Sequence, residues 1–263
     1  HPRLAQVIPF KAKKIVILGA NGQLGKALQL EFPEAIALTK AEFDLTDTST
    51  WNTLDWKEVS TVINAAAYTK VDEAETIPGR QLAWAVNASG VANLATHCAT
   101  YDVTLIQISS DYVFDGTSDS PYVEDEAFCP LGVYGQTKAA GDAIVATVPQ
   151  HYILRTSWVI GEGNNFVRTM ASLAERGIAP SVVNDQIGRL TFTQDLATAI
   201  KHLLNTQAPF GTYNLSNEGL ATSWADIAAK VFELTGHDPE KVTGVTTAEY
   251  FAGKEGIAPR PLW

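Results

Sequence analysis

The chain predicts an α/β fold: a doubly wound parallel sheet with helices on both faces, followed by a smaller C-terminal lobe. Three observations carry this. Short apolar runs alternate with helical stretches through the first part of the chain. The first run ends in a glycine-rich turn that opens a helix. After about Trp158 the alternation loosens into short β segments and amphipathic helices.

The elements follow in order. Lys14–Gly19 (KIVILG) is apolar throughout, as befits a strand buried on both faces, and the spacing predicts a helix over 22–32. Ala35–Leu38 and Thr61–Asn64 are the next two strands, and Gln81–Cys98 is a long alanine-rich helix. Thr104–Ser109 is a fourth strand, Gly135–Thr147 a helix and Tyr152–Thr156 a fifth strand. Beyond these, Phe166–Arg176, Gln194–Leu204 and Ser223–Thr235 read as helices of the lobe. Short β segments lie at Val182–Val183, Arg189–Phe192 and Thr212–Leu215. The expected division is 1–13 as a linker or fusion remnant, 14–157 as a nucleotide-binding unit and 158–263 as mainly a substrate-binding lobe, with room for a return to the main sheet.

Composition sets the outer bounds. Of 263 residues, 46% are hydrophobic and 18% charged, enough apolar matter for a sizeable core. The balance of 19 basic against 29 acidic residues gives a net charge of −10, which disfavours nucleic-acid backbones and anionic membranes as partners. No apolar run approaches the ~20 residues of a membrane-spanning helix. Two cysteines make neither a disulfide framework nor a four-sulfur metal site, and a reducing cytoplasm is expected. The five histidines show no metal-ligand spacing, so no metal is expected. Asp72, Glu73 and Glu75 read as a solvated helix face, and Glu124, Asp125 and Glu126 as an exposed loop.

The chemistry begins at Gly19-Ala-Asn21-Gly22-Gln23-Leu24-Gly25, between the first strand and the first helix. Gly19 permits the sharp turn, Gly22 lets a pyrophosphate approach the backbone, and Gly25 lets helix and strand pack closely. The free amides and dipole of the helix start attract the anion, so a dinucleotide is the expected ligand of a Rossmann-type fold. The second strand ends in Leu38-Thr39-Lys40 with no carboxylate for a ribose, so Lys40 stands where a 2′-phosphate would lie, or is a solvated surface lysine. Asp44 and Leu45 follow in a DLTD stretch that either reaches the adenine edge or caps the next helix.

Tyr134 and Lys138 stand four apart in a helical stretch and so share one face. An ammonium beside the phenol is expected to lower its pKa from ~10 toward the working pH. Ser110 closes the fourth strand, where ligands bind in parallel sheets, and Ser109 is expected to face into the sheet. A strand-end hydroxyl, a phenol and an amine beside a dinucleotide suit hydride transfer at a carbonyl.

In this order these motifs resemble the extended short-chain dehydrogenase/reductases and, within them, the dTDP-4-dehydrorhamnose reductase family. The residues that carry the resemblance are GANGQLG (19–25), FDLTD (43–47), INAAAYTKVDEAE (63–75), VNASGVANLA (86–95), ISSDYVFDG (108–116), YGQTKAAGD (134–142), ILRTSWVIGEGNNFVRTM (153–170) and DQIG (185–188). The resemblance implies reduction of the C4 keto group of a dTDP-linked sugar with NADPH or NADH, with Ser110, Tyr134 and Lys138 as catalytic residues. It implies cofactor contacts at Asn21, Gln23, Leu24, Ala65, Ala66 and Ala67 besides the glycines, and at Tyr134 and Lys138. It places Val71, Asn87, Asp111, Tyr112 and Trp158 at the sugar, where Tyr112 and Trp158 read from the residues alone are packed aromatics. Leu190 stands where the family has proline, which loosens the 185–191 loop as a substrate contact. The lead before Lys14 is compatible with fusion to the epimerase of the preceding step. Two other uses of such a scaffold stay open, an NADP-binding regulatory subunit and an epimerase that retains NAD⁺.

Overall fold

The computed structural model describes residues 12–263, so the linker or fusion expectation for 1–13 lies almost wholly outside the described residues. In chain order the elements are β1 (Lys14–Leu18), α1 (Gln23–Glu31), β2 (Ile36–Leu38), β3 (Val59–Asn64), α2 (Ile77–Trp84), α3 (Gly90–Thr100), β4 (Thr104–Ser110), α4 (Val133–Val145) and β5 (His151–Thr156). There follow β6 (Val159–Ile160), α5 (Phe166–Glu175), β7 (Ser181–Val183), β8 (Ile187–Gly188), β9 (Thr191–Phe192), α6 (Thr193–Asn205), β10 (Gly211–Asn214), β11 (Thr222–Ser223), α7 (Trp224–Leu234), β12 (Thr243–Val245) and α8 (Thr247–Tyr250).

Among the described residues the central sheet has six strands in the order β10-β5-β4-β3-β1-β2, and every pairing is parallel. The period of two along each strand explains the two layers of core. Val16 and Leu18 point to one face, against Trp51, Val91, Leu94 and Leu105. Ile17 points to the other, against Leu24, Leu28, Leu196 and Ile200. Both faces are therefore apolar, which is why β1 reads as an unbroken hydrophobic run. The strand order reverses at β1 and β3, so a crevice opens at their carboxyl ends.

Three elements differ from the sequence reading. The alanine-rich helix starts at Ile77 and ends at Thr100, with a π-turn over Ala85–Ser89. Close packing accompanies that turn: a Cβ on Gly141 of α4 would stand 2.5 Å from the Asn87 carbonyl. The stretch at 189–192 shortens to β9, which pairs with β6, while β8 lies just before it and pairs with β11. The helix assigned to the lobe at 194–204 is α6, and its apolar face (Leu196, Ala197, Ile200, Leu203) packs with α1 on the central sheet. β10 likewise joins that sheet beside β5. The lobe keeps a small core of its own, Met170, Val182, Ala225, Ala228 and Val231, between α5, α7 and β7.

Candidate active site

A cleft of about 730 Å³ runs along the carboxyl ends of the strands, from the glycine turn to Trp158. Its floor at one end is the turn itself. Gly19 has φ +77°, and a Cβ there would stand 2.8 Å from the Ala65 backbone. A Cβ on Gly25 would fall 2.1 Å from the Gly19 carbonyl, so α1 can meet β1 only through glycine. Gly22 is different: the nearest protein atom to a Cβ would be 3.5 Å away, so its missing side chain leaves open the outward face. No side chain caps α1, so its first-turn amides are free of side-chain partners and face an anion site. This cradle fits a dinucleotide pyrophosphate. Gly22→Ala is accordingly expected to fold with an unchanged melting temperature and bind NADPH about tenfold more weakly, whereas Gly25→Ala should lose about 1–3 kcal/mol of stability. Thermal unfolding and fluorescence titration with NADPH separate the two outcomes.

A second hollow of about 290 Å³ continues past the turn, lined by Lys40, Phe43, Asp44, Leu45, Ala66 and Tyr68 among others. Lys40 is exposed at its rim. Asp44 turns one oxygen, Oδ1, back on Thr46, accepting from its backbone N at 2.9 Å and its Oγ1 at 2.7 Å. Capping of the following turn falls to Asp47, not Asp44. Glu42 folds onto Thr39 in the same way.

At the centre of the cleft stand Ser110, Tyr134 and Lys138. Ser110 ends β4; its Oγ accepts from Tyr112 N at 3.1 Å, donates to Asp111 Oδ1 at 3.3 Å and stands near the Tyr134 phenol. Ser109, the next residue back, is buried and lies against Asp142. Lys138 Nζ donates to the Ile108 carbonyl at 2.8 Å. Its ammonium is buried, which pushes its pKa down, while the Asp142 carboxylate one turn along α4 pulls it up. Tyr134 corrects the sequence reading: burial raises its pKa, the nearby Asp111 charge adds to this, and the Ser110 hydroxyl opposes it. Desolvation of the phenolate thus sets the direction, and the phenol stays protonated at neutral pH.

Val71, Asp111, Tyr112 and Trp158 all line this cleft, with Ala65 and Ala67 on the cofactor side. Tyr112 meets Tyr134 edge-on, with ring centroids 5.7 Å apart. Trp158 has φ +44° and stacks on Trp224 at 3.9 Å, and Gly188 packs beneath its indole. Asn87 is placed elsewhere. It is 2% exposed, and its amide bonds the Tyr68 backbone in both directions and the Thr137 hydroxyl. Those bonds tie α4 to the loop after β3, and Asn87 is not among the residues that line the cleft, so it stands as scaffold and not at the sugar. Of the acidic groups, Asp72 takes Arg260 and Glu75 accepts from Val133 N at the start of α4, so these two are not a solvated face, whereas Glu73 is exposed and 124–126 form the exposed loop the sequence predicts.

Burial pushes the Asp111 carboxyl up to about 6 from 3.8, against lowering bonds from Ser110 and the Asp111 and Tyr112 backbones. Between about pH 4 and 6 the folded chain therefore holds a proton that the unfolded chain has released, and stability falls as pH rises through that window. Asp111→Asn is expected to match the parent below pH 4 and to exceed it by up to about 3 kcal/mol above pH 6. Urea unfolding across pH checks this, and an equal decline in both proteins would refute it.

The comparisons with known proteins agree with this geometry. The model of the RmlD substrate binding domain matches residues 13–261. The dTDP-4-dehydrorhamnose reductase of Mycolicibacterium smegmatis is 41% identical over 239 residues, covering 88% of this chain and 72% of that one. The chain belongs to the dTDP-4-dehydrorhamnose reductase family. The family's Mycobacterium tuberculosis H37Rv member is 37% identical over 251 residues, 91% of this chain and 81% of its own. The family's solved structure from Bacillus anthracis, in complex with NADP, has a TM-score of 0.86 and 38% identity, covering 95% of this chain and 89% of that one. The sequence reading of the family and of the parallel α/β fold thus holds.

Sequence reasoning missed several residues of the cleft and its surroundings. Thr69, Glu162, Gly163 and Asn164 also line it. Asp142 carries a signal, since it stands four residues after Lys138 on the same helix face. Arg260 carries none, because its partner Asp72 lies 188 residues away.

Proposed function

We propose that the protein reduces the C4 keto group of dTDP-4-dehydro-β-L-rhamnose, giving dTDP-L-rhamnose. The observation that carries this is the convergence of Ser110, Tyr134 and Lys138 in one cleft that begins at an anion-binding glycine turn. NADPH, when bound, supplies the hydride to C4. Gly22 and the first turn of α1 would hold its pyrophosphate, and Lys40 its 2′-phosphate. Glu42 and the Oδ1 of Asp44 are turned onto neighbouring threonines, which supports NADPH ahead of NADH.

The chain's own groups do the proton chemistry. Tyr134, kept protonated by burial, donates its proton to the C4 oxygen as that oxygen gains charge. Ser110 Oγ orients and polarises the same oxygen. Lys138 faces the phenolate left behind and stabilises it at low dielectric, where a positive charge acts most strongly. Val71, Tyr112 and Trp158 give the sugar apolar walls, and Asp111 accepts from its hydroxyls.

No described helix is long and apolar enough to cross a membrane. Cys98 is buried and Cys129 exposed, both as free thiols, which supports the reducing cytoplasm as the working compartment. The test is incubation with dTDP-4-keto-6-deoxy sugars and NADPH, with loss of reduced cofactor followed by absorbance and the product identified by NMR. Unconsumed NADPH, or a product epimerised without net reduction, would overturn the reading.

A further inference from the structure

Residues 258–263 bind loops that flank the cleft and belong to none of the motifs above. Ala258 N donates to Asp72 Oδ1 at 2.9 Å. Pro261 sits so close to Gly116 that a Cβ there would stand 2.5 Å from it, and Gly116 has φ +73°. The Leu262 carbonyl accepts from Ile187 N at 2.8 Å, and Trp263 Nε1 donates to the Ser120 carbonyl at 3.0 Å. The segment therefore joins the loop after β3, the loop after β4 and the lobe.

Arg260 is the charged group of this segment. Its two terminal nitrogens fork onto Asp72, Nη1 to Oδ1 at 2.7 Å and Nη2 to Oδ2 at 2.9 Å. The guanidinium also stands near the Tyr112 phenol, whose charged form it favours, and lies 5.3 Å from the centre of the Phe251 ring. Asp72 is the neighbour of Val71, and both Val71 and Tyr112 line the cleft. One planar cation thus fixes two walls that come from different strands. A bidentate fork sets direction as well as distance, which an ammonium cannot do.

Resting on the reductase reading, we propose that Arg260 is a positioning residue for the reduction, holding the Val71 loop through Asp72 and the Tyr112 ring directly, so that the sugar pocket has its shape before substrate enters. Tyr112 in turn packs edge-on against Tyr134, the proton donor. Arg260 is not among the residues that line the cleft. Its contribution is a preformed sugar site, and its loss raises KM for the keto sugar while the affinity for NADPH, held at the glycine turn, stays the same.

The test uses Arg260→Gln, Arg260→Lys, Asp72→Asn and Tyr112→Phe, alone and combined. Arg260→Gln is expected to lower kcat/KM about tenfold, mostly through KM, with Arg260→Lys recovering only part. Because one guanidinium serves both partners, the effect should shrink to about twofold or less in the Tyr112→Phe, Asp72→Asn background. Hydrogen exchange on the substrate-free protein should quicken at 68–73 and 110–116 alone in Arg260→Gln. Additive effects on kcat/KM, an unchanged KM, or exchange that quickens throughout the chain would overturn the proposal. If the parent protein does not turn over the keto sugar, the reductase reading fails, and the exchange pattern by itself decides whether the clamp exists.

Discussion

Tyr134→Phe is expected to lower kcat by about 10²–10⁴-fold, the range that a positioned proton donor supplies. The substitution removes one oxygen and little else. The ring still meets Tyr112, and the start of α4 keeps its backbone bond from Val133 N to Glu75. Ser110 keeps Asp111 and the Tyr112 amide. Folding and NADPH affinity should therefore stay close to those of the parent. Stopped-flow single turnovers place the loss in the chemical step and not in product release. A variant turning over within about threefold of the parent at saturating substrate would remove Tyr134 from its role.

What the sequence discloses about this site is what local geometry determines. The run at Lys14–Leu18 followed by three glycines specifies strand, turn and helix, because Gly19 and Gly25 answer close backbone contacts with the turn itself or with the segment after β3, while Gly22 leaves its outward face open. Tyr134 and Lys138 are legible as a pair because four residues make about one helical turn. The state of that pair is not legible. How far burial raises the phenol's pKa depends on packing from β4 and α4 together. Asn87 shows the same limit. Its place on a helix is clear from sequence, but the π-turn that aims its amide at Tyr68 and Thr137 is a tertiary outcome. An amphipathic pattern likewise identifies the apolar face of α6 without naming α1 and the central sheet as what covers it.

The largest stability effect is expected behind the site, at Arg155. This residue is buried on β5, with Nε donating to Asp142 Oδ2 at 3.1 Å and Nη1 to the Glu124 carbonyl at 3.0 Å. The rings of Phe114 and Phe128 lie 5.4 and 5.2 Å from the guanidinium carbon. Asp142 is 0% exposed, and the attraction of Arg155 and Lys138, with the Ser109 hydroxyl, opposes the cost of burying its charge. Arg155→Met takes away that carboxylate's hydrogen-bonded cation, and breaking a buried pair from one side costs about 3–5 kcal/mol, read as a lower urea midpoint. Adding Asp142→Leu removes that carboxylate and should restore most of the stability, since apolar groups replace a buried ion pair with little loss. Activity should not follow. Lys138 is itself buried, and in the double variant it has lost the carboxylate that favours its charged form. Turnover is then expected about tenfold or more below the parent, with the deficit greatest at high pH, where the lysine most readily gives up its proton. A double variant that regained both stability and turnover would show that Asp142 serves Arg155 alone, and that Lys138 keeps its charge through the Ile108 carbonyl without it.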